Sequence, residues 1–147
     1  MAAICPNEGE LRLINEILDG GLTRENWTLI LFKNNVTPAE TDTSATYTTA
    51  DFTNYTSNTL TRTVNNGVTW NTPASGSPTG SWSAEASVAE ATYQQQSWTC
   101  GASGNTVYGY YFKGATSSKV ILAEAFATAR TLANGDVLNF TPRFGVA

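Results

Sequence analysis

Apolar and polar residues alternate through the C-terminal forty residues of the chain, and short turn-forming segments separate the runs. The runs are NTVYGYYF (105–112), KVILAEAF (119–126) and VLNFTPRF (137–144). Tyr, Phe and Val favour pleated, half-buried strands, whereas Gly and Asn supply the positive φ values that reversals require. The pattern predicts a β-meander with turns at 114–118 and 134–136. The side chains expected in its core are Val120, Leu122, Phe126, Leu138, Phe140 and Phe144.

A helical period occurs near the N-terminus, in GELRLINEILD (9–19). Leu11, Ile14 and Leu18 recur at i, i+3 and i+7, and Leu13 and Ile17 widen this apolar stripe. The pattern predicts an amphipathic helix over residues 9–20 with Asn7 as its cap. Three turns of helix are marginal alone. We therefore expect the apolar stripe to dock, either on the sheet of its own chain, which we favour, or on a neighbouring subunit.

The middle of the chain contains further short strands. WTLILFKN (27–34) is apolar on both faces, which predicts a strand that is covered on both sides. Asn65-Asn66-Gly67 predicts a hairpin joining 59–64 to 68–70, because Asn-Gly is a strong turn signal. NTPASGSPTGS (71–81) is rich in Pro, Gly and Ser and is expected to be an exposed, flexible loop. Two more predicted strands follow it, in residues 82–93 and 95–101.

These elements fit one domain over residues 1–147. It would consist of an N-terminal arm (1–8), one α-helix (9–20) and an antiparallel β-sandwich or jelly roll (27–147) with the flexible loop at 71–81. About seven or eight short strands at a spacing of roughly 8–12 residues are typical of such mainly β folds.

Charge is scarce in this chain. Charged residues make up 14% of it and the formal net charge is −4, whereas soluble domains usually have about 25% charged residues. A neutral surface suits permanent packing against other proteins, and the basic footprint of a nucleic-acid-binding protein is missing. Residues 1–20 do not follow the pattern of a secretory signal, and no apolar run reaches the roughly 20 residues of a membrane span.

The residue types needed for catalysis are poorly represented. The chain has no histidine, which excludes a Ser-His-Asp or Cys-His arrangement within it. We predict no catalytic, cofactor-binding or metal-ligating residue and no enzymatic activity. Glu85, Glu90 and Glu124 are the carboxylates in predicted strands. Glu124 shares a strand face with apolar neighbours, so it is either a buried acid or, as we favour, half of a structural ion pair with Arg62 or Arg130.

Cys5 and Cys100 are far apart in sequence. We expect two free thiols, and a single bridge between them is the alternative. Zinc needs about four ligands, which these two cysteines cannot supply.

The aromatic residues raise the possibility of carbohydrate binding, since sugar rings stack on exposed Trp and Tyr. One face of every strand must be buried, however, and aromatic side chains dominate such cores. We therefore expect core positions for most of them: Trp27, Trp70, Trp82, Trp98, Tyr108, Tyr110 and Tyr111.

Four stretches, which together cover nearly the whole chain, resemble a family of small virion proteins of tailed phages, including cyanophages and marine phages. They are LINEILDGGLTRENWTLILFKNNVTPAETDT (13–43) and QQSWTCGASGNTVYGYYFKG (95–114), together with ADFTNYTSNTLTR (50–62) and VILAEAFATARTLANGDVLNFTPRFGV (120–146). The resemblance implies a β-sandwich or jelly-roll subunit without enzymatic activity. It implies no catalytic residues, and it leaves capsid and tail locations open.

The resemblance and the low charge together predict a structural protein made in a host cytoplasm for the virion. We expect a capsid decoration, or cement, protein on the outer shell. Its expected partners are the major capsid protein and copies of itself, as a dimer or trimer. The alternative is a tail or fibre component that binds other tail proteins and touches host glycans.

Overall fold

The fold was obtained as a computed structural model, which describes residues 3–19, 24–65, 67–76 and 88–146. In these ranges the chain forms one N-terminal helix and nine strands, all paired antiparallel. The prediction of a mainly β fold with one N-terminal α-helix is therefore confirmed. The bounds are α1 Asn7–Leu18, β1 Trp27–Phe32, β2 Asn58–Leu60, β3 Ala74–Gly76, β4 Val88–Thr92, β5 Gln96–Thr99, β6 Thr106–Gly114, β7 Val120–Thr131, β8 Val137–Phe140 and β9 Arg143–Val146.

The main sheet has the order β2-β1-β6-β7, so β1 and β6 are central and β7 lies at an edge. β3, β4 and β9 form a second sheet, and β5 and β8 form a third. Residues of these smaller sheets pack on one face of the main sheet. Phe140 of β8 lies 4.2 Å from Tyr110, ring centroid to centroid, and Phe144 of β9 lies 4.9 Å from Trp27. This layered arrangement is compatible with a β-sandwich.

β1 is buried on both faces, as its unbroken apolar run predicted. Leu29 and Leu31 belong to the core cluster shared with the smaller sheets. Ile30 and Phe32 point to the opposite face, where Tyr47 from the connection between β1 and β2 covers them. The main sheet is therefore the middle layer of the domain.

The strand pairing of the predicted hairpin is wrong. Asn58–Leu60 pairs with β1, Leu60 opposite Trp27, and not with residues 68–70 across a hairpin. Gly67 does adopt the expected positive φ, at 86°, but Val64 and Trp70 meet only in an isolated parallel bridge. The Asn-Gly signal therefore identified a turn correctly and its flanking strands incorrectly.

The predicted C-terminal strand is two strands, because Pro142 interrupts it. β8 pairs with β5 and β9 pairs with β4, so the two halves belong to different sheets, and neither pairs with β7 as the predicted meander requires. Leu122 and Leu138 are buried as predicted, while Phe126, Phe140 and Phe144 are half-buried and pack against the core.

The loop predicted at 71–81 is also only partly correct. Ala74–Gly76 forms β3 and pairs with β4, while residues 77–81 lie outside the described residues. Of the strand predicted in residues 82–93, Val88–Thr92 is present as β4 and residues 82–87 lie outside the described ranges.

Candidate interaction surface

The apolar stripe of α1 faces away from the protein. Leu11, Ile14, Ile17 and Leu18 are between 50% and 80% exposed. Leu13 alone among the large aliphatic residues of the helix packs against the core. Of the five residues of the predicted stripe, Leu13 packs on its own chain, and the expectation of docking there is wrong for the other four, which face solvent.

Gly9 makes the closest approach between α1 and the sheet. A Cβ atom at this position would lie 2.9 Å from Cα and 3.0 Å from the carbonyl oxygen of Ile121, and closer still to the carbonyl oxygen of Val120. Only glycine permits such a distance to backbone atoms. The helix therefore rests on β7 through a side that has no side chain at its contact point.

A second attachment of α1 to the body is ionic. Arg12 Nε lies 3.1 Å from Glu16 Oε1 and 3.2 Å from Glu25 Oε1. The other oxygen of Glu16 pairs with Arg62, whose guanidinium lies 4.6 Å from the centre of the Trp27 ring. All four charged side chains are at most one-fifth exposed. We call Arg12, Glu16, Glu25 and Arg62 the ionic cluster.

Glu25 ties this cluster to the turn between β6 and β7. The backbone N–H groups of Thr116 and Ser117 donate hydrogen bonds to Glu25 Oε2, at 2.6 and 2.8 Å, and the Ser117 hydroxyl donates to Oε1. Burial by itself would raise the pKa of this carboxyl group. This effect of burial is outweighed by the hydrogen bonds from Ser117 and Thr116 and by the charge of Arg12, which stabilise the charged carboxylate. The pKa of Glu25 is therefore lowered.

Glu8 holds the first turn of α1 in the same orientation. Its carboxylate accepts a 2.7 Å hydrogen bond from the backbone N–H of Val120 and pairs with Lys119 Nζ at 3.2 Å. The polar side of α1 thus contacts the protein, and its apolar side contacts solvent. A helix that docked by hydrophobic burial would have the opposite orientation.

An open groove of about 1050 Å³ runs between α1, β7 and β9 beside the exposed stripe. Leu13, Ile14 and Ile17 form its helical wall, and Leu122 and Phe144 line it from the sheets. Its charged lining consists of Glu10, Glu16, Arg24 and Arg62. We call the exposed stripe (Leu11, Ile14, Ile17, Leu18) together with this groove the α1 surface.

The residues that build the α1 surface are only partly visible in the sequence. The spacing of Leu11, Ile14 and Leu18 shows that an apolar stripe exists. Its outward direction depends on Gly9 and the ionic cluster, whose members lie up to 50 residues apart in sequence. Gly9 inside a helical pattern was a usable signal, because such a glycine often marks a close approach of two backbones.

The N-terminal arm is part of the fold from Ile4 onward. Ile4 exchanges two backbone hydrogen bonds of 2.8 Å with Ala123 of β7, and Pro6 is fully buried. Pro6 occupies the cap position of α1, so the prediction that Asn7 caps the helix is wrong; Asn7 is its first residue. These contacts cover part of the β7 edge with the chain's own arm.

Glu124 is engaged within the core of the domain. Tyr110 donates a hydrogen bond to its Oε2 atom, and burial, followed by the nearby Glu124 charge, raises the pKa of Tyr110 well above its usual value. The predicted ion pair with Arg62 is wrong, because Arg62 binds Glu16. Glu90 lies 3.6 Å from Arg143, and Glu85 lies outside the described residues.

The aromatic residues are core residues, as predicted for those that the structure describes. Trp98 and Tyr111 are buried, and Trp27 packs against Trp70 and Phe112 at 5.9 Å between ring centroids. Tyr110 is buried and Tyr108 is half-buried. Trp82 lies outside the described residues.

Both cysteines are free thiols, as predicted. Cys5 lines the groove, and burial followed by the charge of Glu10 raises its pKa to about 11. Cys100 is buried.

Neither a metal-ligand cluster nor a membrane-spanning helix occurs in the described ranges. No three His, Cys, Asp or Glu side chains come together there as metal ligands would. In the same ranges, no helix combines the length and hydropathy that crossing a bilayer requires.

The sequence matches no protein family, and no curated protein is significantly similar to it.

Proposed function

We propose that this protein is a non-enzymatic structural subunit of a tailed-phage virion that decorates the outer capsid shell. Its partners would be the major capsid protein and further copies of itself. The observation that carries the proposal is the orientation of α1, which exposes its apolar stripe. The sequence resemblance to small virion proteins gives the particle in which such a surface would be used.

The cost of exposing the stripe is the physical argument for an interaction role. Burying one Leu or Ile side chain stabilises the folded state by about 1.5–3 kcal/mol. Leaving the four stripe residues exposed therefore loses several kcal/mol of hydrophobic stabilisation in the isolated chain. Buried charge pairs seldom return such an amount, because desolvation offsets their attraction. Exposed apolar patches of this kind mark surfaces that another protein covers.

A tail or fibre location is the alternative, and host-glycan contact would distinguish it. Sugar binding needs exposed aromatic rings, and Trp27, Trp70 and Trp98 are each less than one-tenth exposed. The described aromatic residues therefore favour capsid decoration over a glycan-binding fibre.

Quantitative mass spectrometry of purified particles tests the proposal. A decoration protein is expected at a copy number comparable to that of the major capsid protein, whereas a tail component would be present in few copies. Absence of the protein from purified particles would refute a virion role.

Rebinding to particles that lack the protein tests the surface itself. Wild-type protein should restore full occupancy and should resist high salt, because apolar contacts are little affected by screening. A Leu11→Asp/Leu18→Asp variant should bind poorly. Val137→Asp is the matched control, since Val137 is 54% exposed but lies in β8 and does not line the groove. Equal binding by both variants would show that the α1 surface is not involved.

A further inference from the structure

The α1 surface has the spacing of a helix-pairing seam. Leu11, Ile14 and Leu18 repeat as the alternating three- and four-residue steps by which two helices pack along each other. Their span of seven residues covers about 10 Å of the helix axis. Ile14 lies near the middle of that span, with Leu11 on one side and Leu18 on the other.

Opposite charges stand toward the two ends of the same surface. Glu10 is exposed in the first turns of α1. Arg24 is exposed and lines the groove together with Arg62, which binds Glu16 in the last turns of the helix. Along the flank that lines the groove, an acidic group therefore lies toward the N-terminal end of the surface and a basic group toward its C-terminal end, while the exposed Asp19 at the end of the helix does not line the groove.

We infer that the α1 surface binds the same surface of a second copy, with the two helices antiparallel about a two-fold axis that passes near Ile14. This inference rests on the proposed role as an assembly subunit and names the partner of its surface. Under a two-fold rotation, if residue i of one copy contacts residue j of the other, then residue j of the first copy also contacts residue i of the second. Leu11 of one copy then meets Leu18 of the other, and each Glu10 meets the Arg24 of its partner.

The α1 surface is complementary in charge to a second copy of itself, and this is the reason for naming a second copy as its partner. An apolar stripe alone would suit any apolar partner. The opposite charges at its two ends match an identical surface rotated by half a turn, and they oppose a parallel pairing, which would place like charges together. A parallel arrangement would also place each Leu18 against the other Leu18.

Sedimentation equilibrium of the purified protein tests the inference. We expect a concentration-dependent dimer. Ile14→Asp and Leu18→Asp should each raise the dimer Kd by about 100-fold or more, and Val137→Asp should leave it unchanged. Circular dichroism confirms that each variant is folded. A wild-type protein that stays monomeric at about 100 µM would overturn the inference.

Cysteine cross-linking tests the antiparallel geometry in a Cys5→Ser background. Ile14→Cys should form a disulfide-linked dimer, because the two Cα atoms meet near the axis within the roughly 7 Å that a disulfide allows. Leu11→Cys and Leu18→Cys should link poorly alone and efficiently when the two variants are mixed. Efficient linking of Leu18→Cys by itself would contradict the antiparallel arrangement.

A charge swap tests the end contacts. Glu10→Arg and Arg24→Glu should each weaken the dimer about tenfold, and the double variant should restore it, because the partners are again opposite in sign. Failure of the double variant to restore dimerisation would remove the charge argument for a second copy.

These results separate the inference from the proposed function. A monomer that is abundant in particles would overturn the dimer and leave the virion role standing. A dimer that is absent from particles would refute the virion role and leave the helix pairing standing.

Discussion

Replacing Gly9 by alanine tests how α1 lies on the sheet, because the two possible orientations predict changes of opposite sign. If Gly9 contacts β7, the added Cβ must fit 2.9 Å from Cα of Ile121. Ordinary carbon–carbon contacts are about 3.5–4 Å, so the helix or the strand must move by more than half an ångström. Both partners are backbone, which cannot rotate out of the way.

The expected magnitude follows from two opposing terms. Overpacking of this size costs about 1–3 kcal/mol. Alanine regains about 0.5–1 kcal/mol of helix propensity over glycine. We expect a net loss of roughly 0.5–2 kcal/mol, equivalent to a fall in Tm of about 1–8 °C for a domain of this length.

Urea unfolding followed by tryptophan fluorescence measures this change. The midpoint should fall while the m-value stays constant, which shows that stability and not compactness has changed. Asn15→Ala is the control, because Asn15 is exposed in the same helix and should become slightly more stable. An increase in stability of about 0.5–1 kcal/mol in Gly9→Ala would show that Gly9 is free of the sheet and would refute the orientation.

Three further predictions concern the fold around this surface. Phe112→Ala should lower the free energy of unfolding by about 3–5 kcal/mol, because Phe112 is fully buried. Chemical denaturation measures this loss, and a loss below about 1 kcal/mol would contradict the assignment of Phe112 to the core. Glu25→Gln should cost about 1–3 kcal/mol at pH 7. The folded-state pKa of Glu25 is lowered from 4.5. The stabilisation of the folded state by the charged Glu25 is therefore fully present above pH 4.5 and is lost as the pH falls through the lowered pKa. Denaturation curves from pH 7 to pH 3 should therefore converge for wild type and variant, and a constant difference would count against it. Gly67→Val should destabilise the protein by about 1–3 kcal/mol through backbone strain alone, since Gly67 has φ 86° and open space around it; an unchanged Tm would mean that the turn relaxes.

The sequence predicted the strands where composition and period agreed. β1, β6 and β7 are long runs of apolar, β-branched and aromatic residues, and the two turns between β6 and β8 carry Gly and Asn. Such signals lie in neighbouring residues, so they can be recognised without knowledge of the tertiary contacts.

Strand pairing was less predictable, because the partner of a strand lies elsewhere in the sequence. The run at 58–60 fits either a local hairpin or the edge of β1, and only the packing of Leu60 beside Trp27 decides between them. Pro142 was a visible warning that 137–144 is not one strand, since proline cannot donate to a ladder.

The direction in which the apolar stripe of α1 faces was predicted incorrectly. Hydrophobic period predicts that a face will be buried but does not say by what. Here Arg12 and Glu16 lie inward because Glu25 and Arg62 complete their ion pairs, and none of these partners is recognisable from spacing. The apolar surface could therefore be predicted from the sequence, but the direction in which it faces could not.

Isotope-filtered NOE spectroscopy on a mixture of labelled and unlabelled protein tests the orientation of α1 most directly. We predict contacts between Gly9 and Ile121 within one chain. Apart from contacts with neighbouring residues of α1, methyl contacts of Leu11 and Leu18 should occur only between copies. Contacts within one chain between these methyl groups and core rings such as Phe112 would contradict the account.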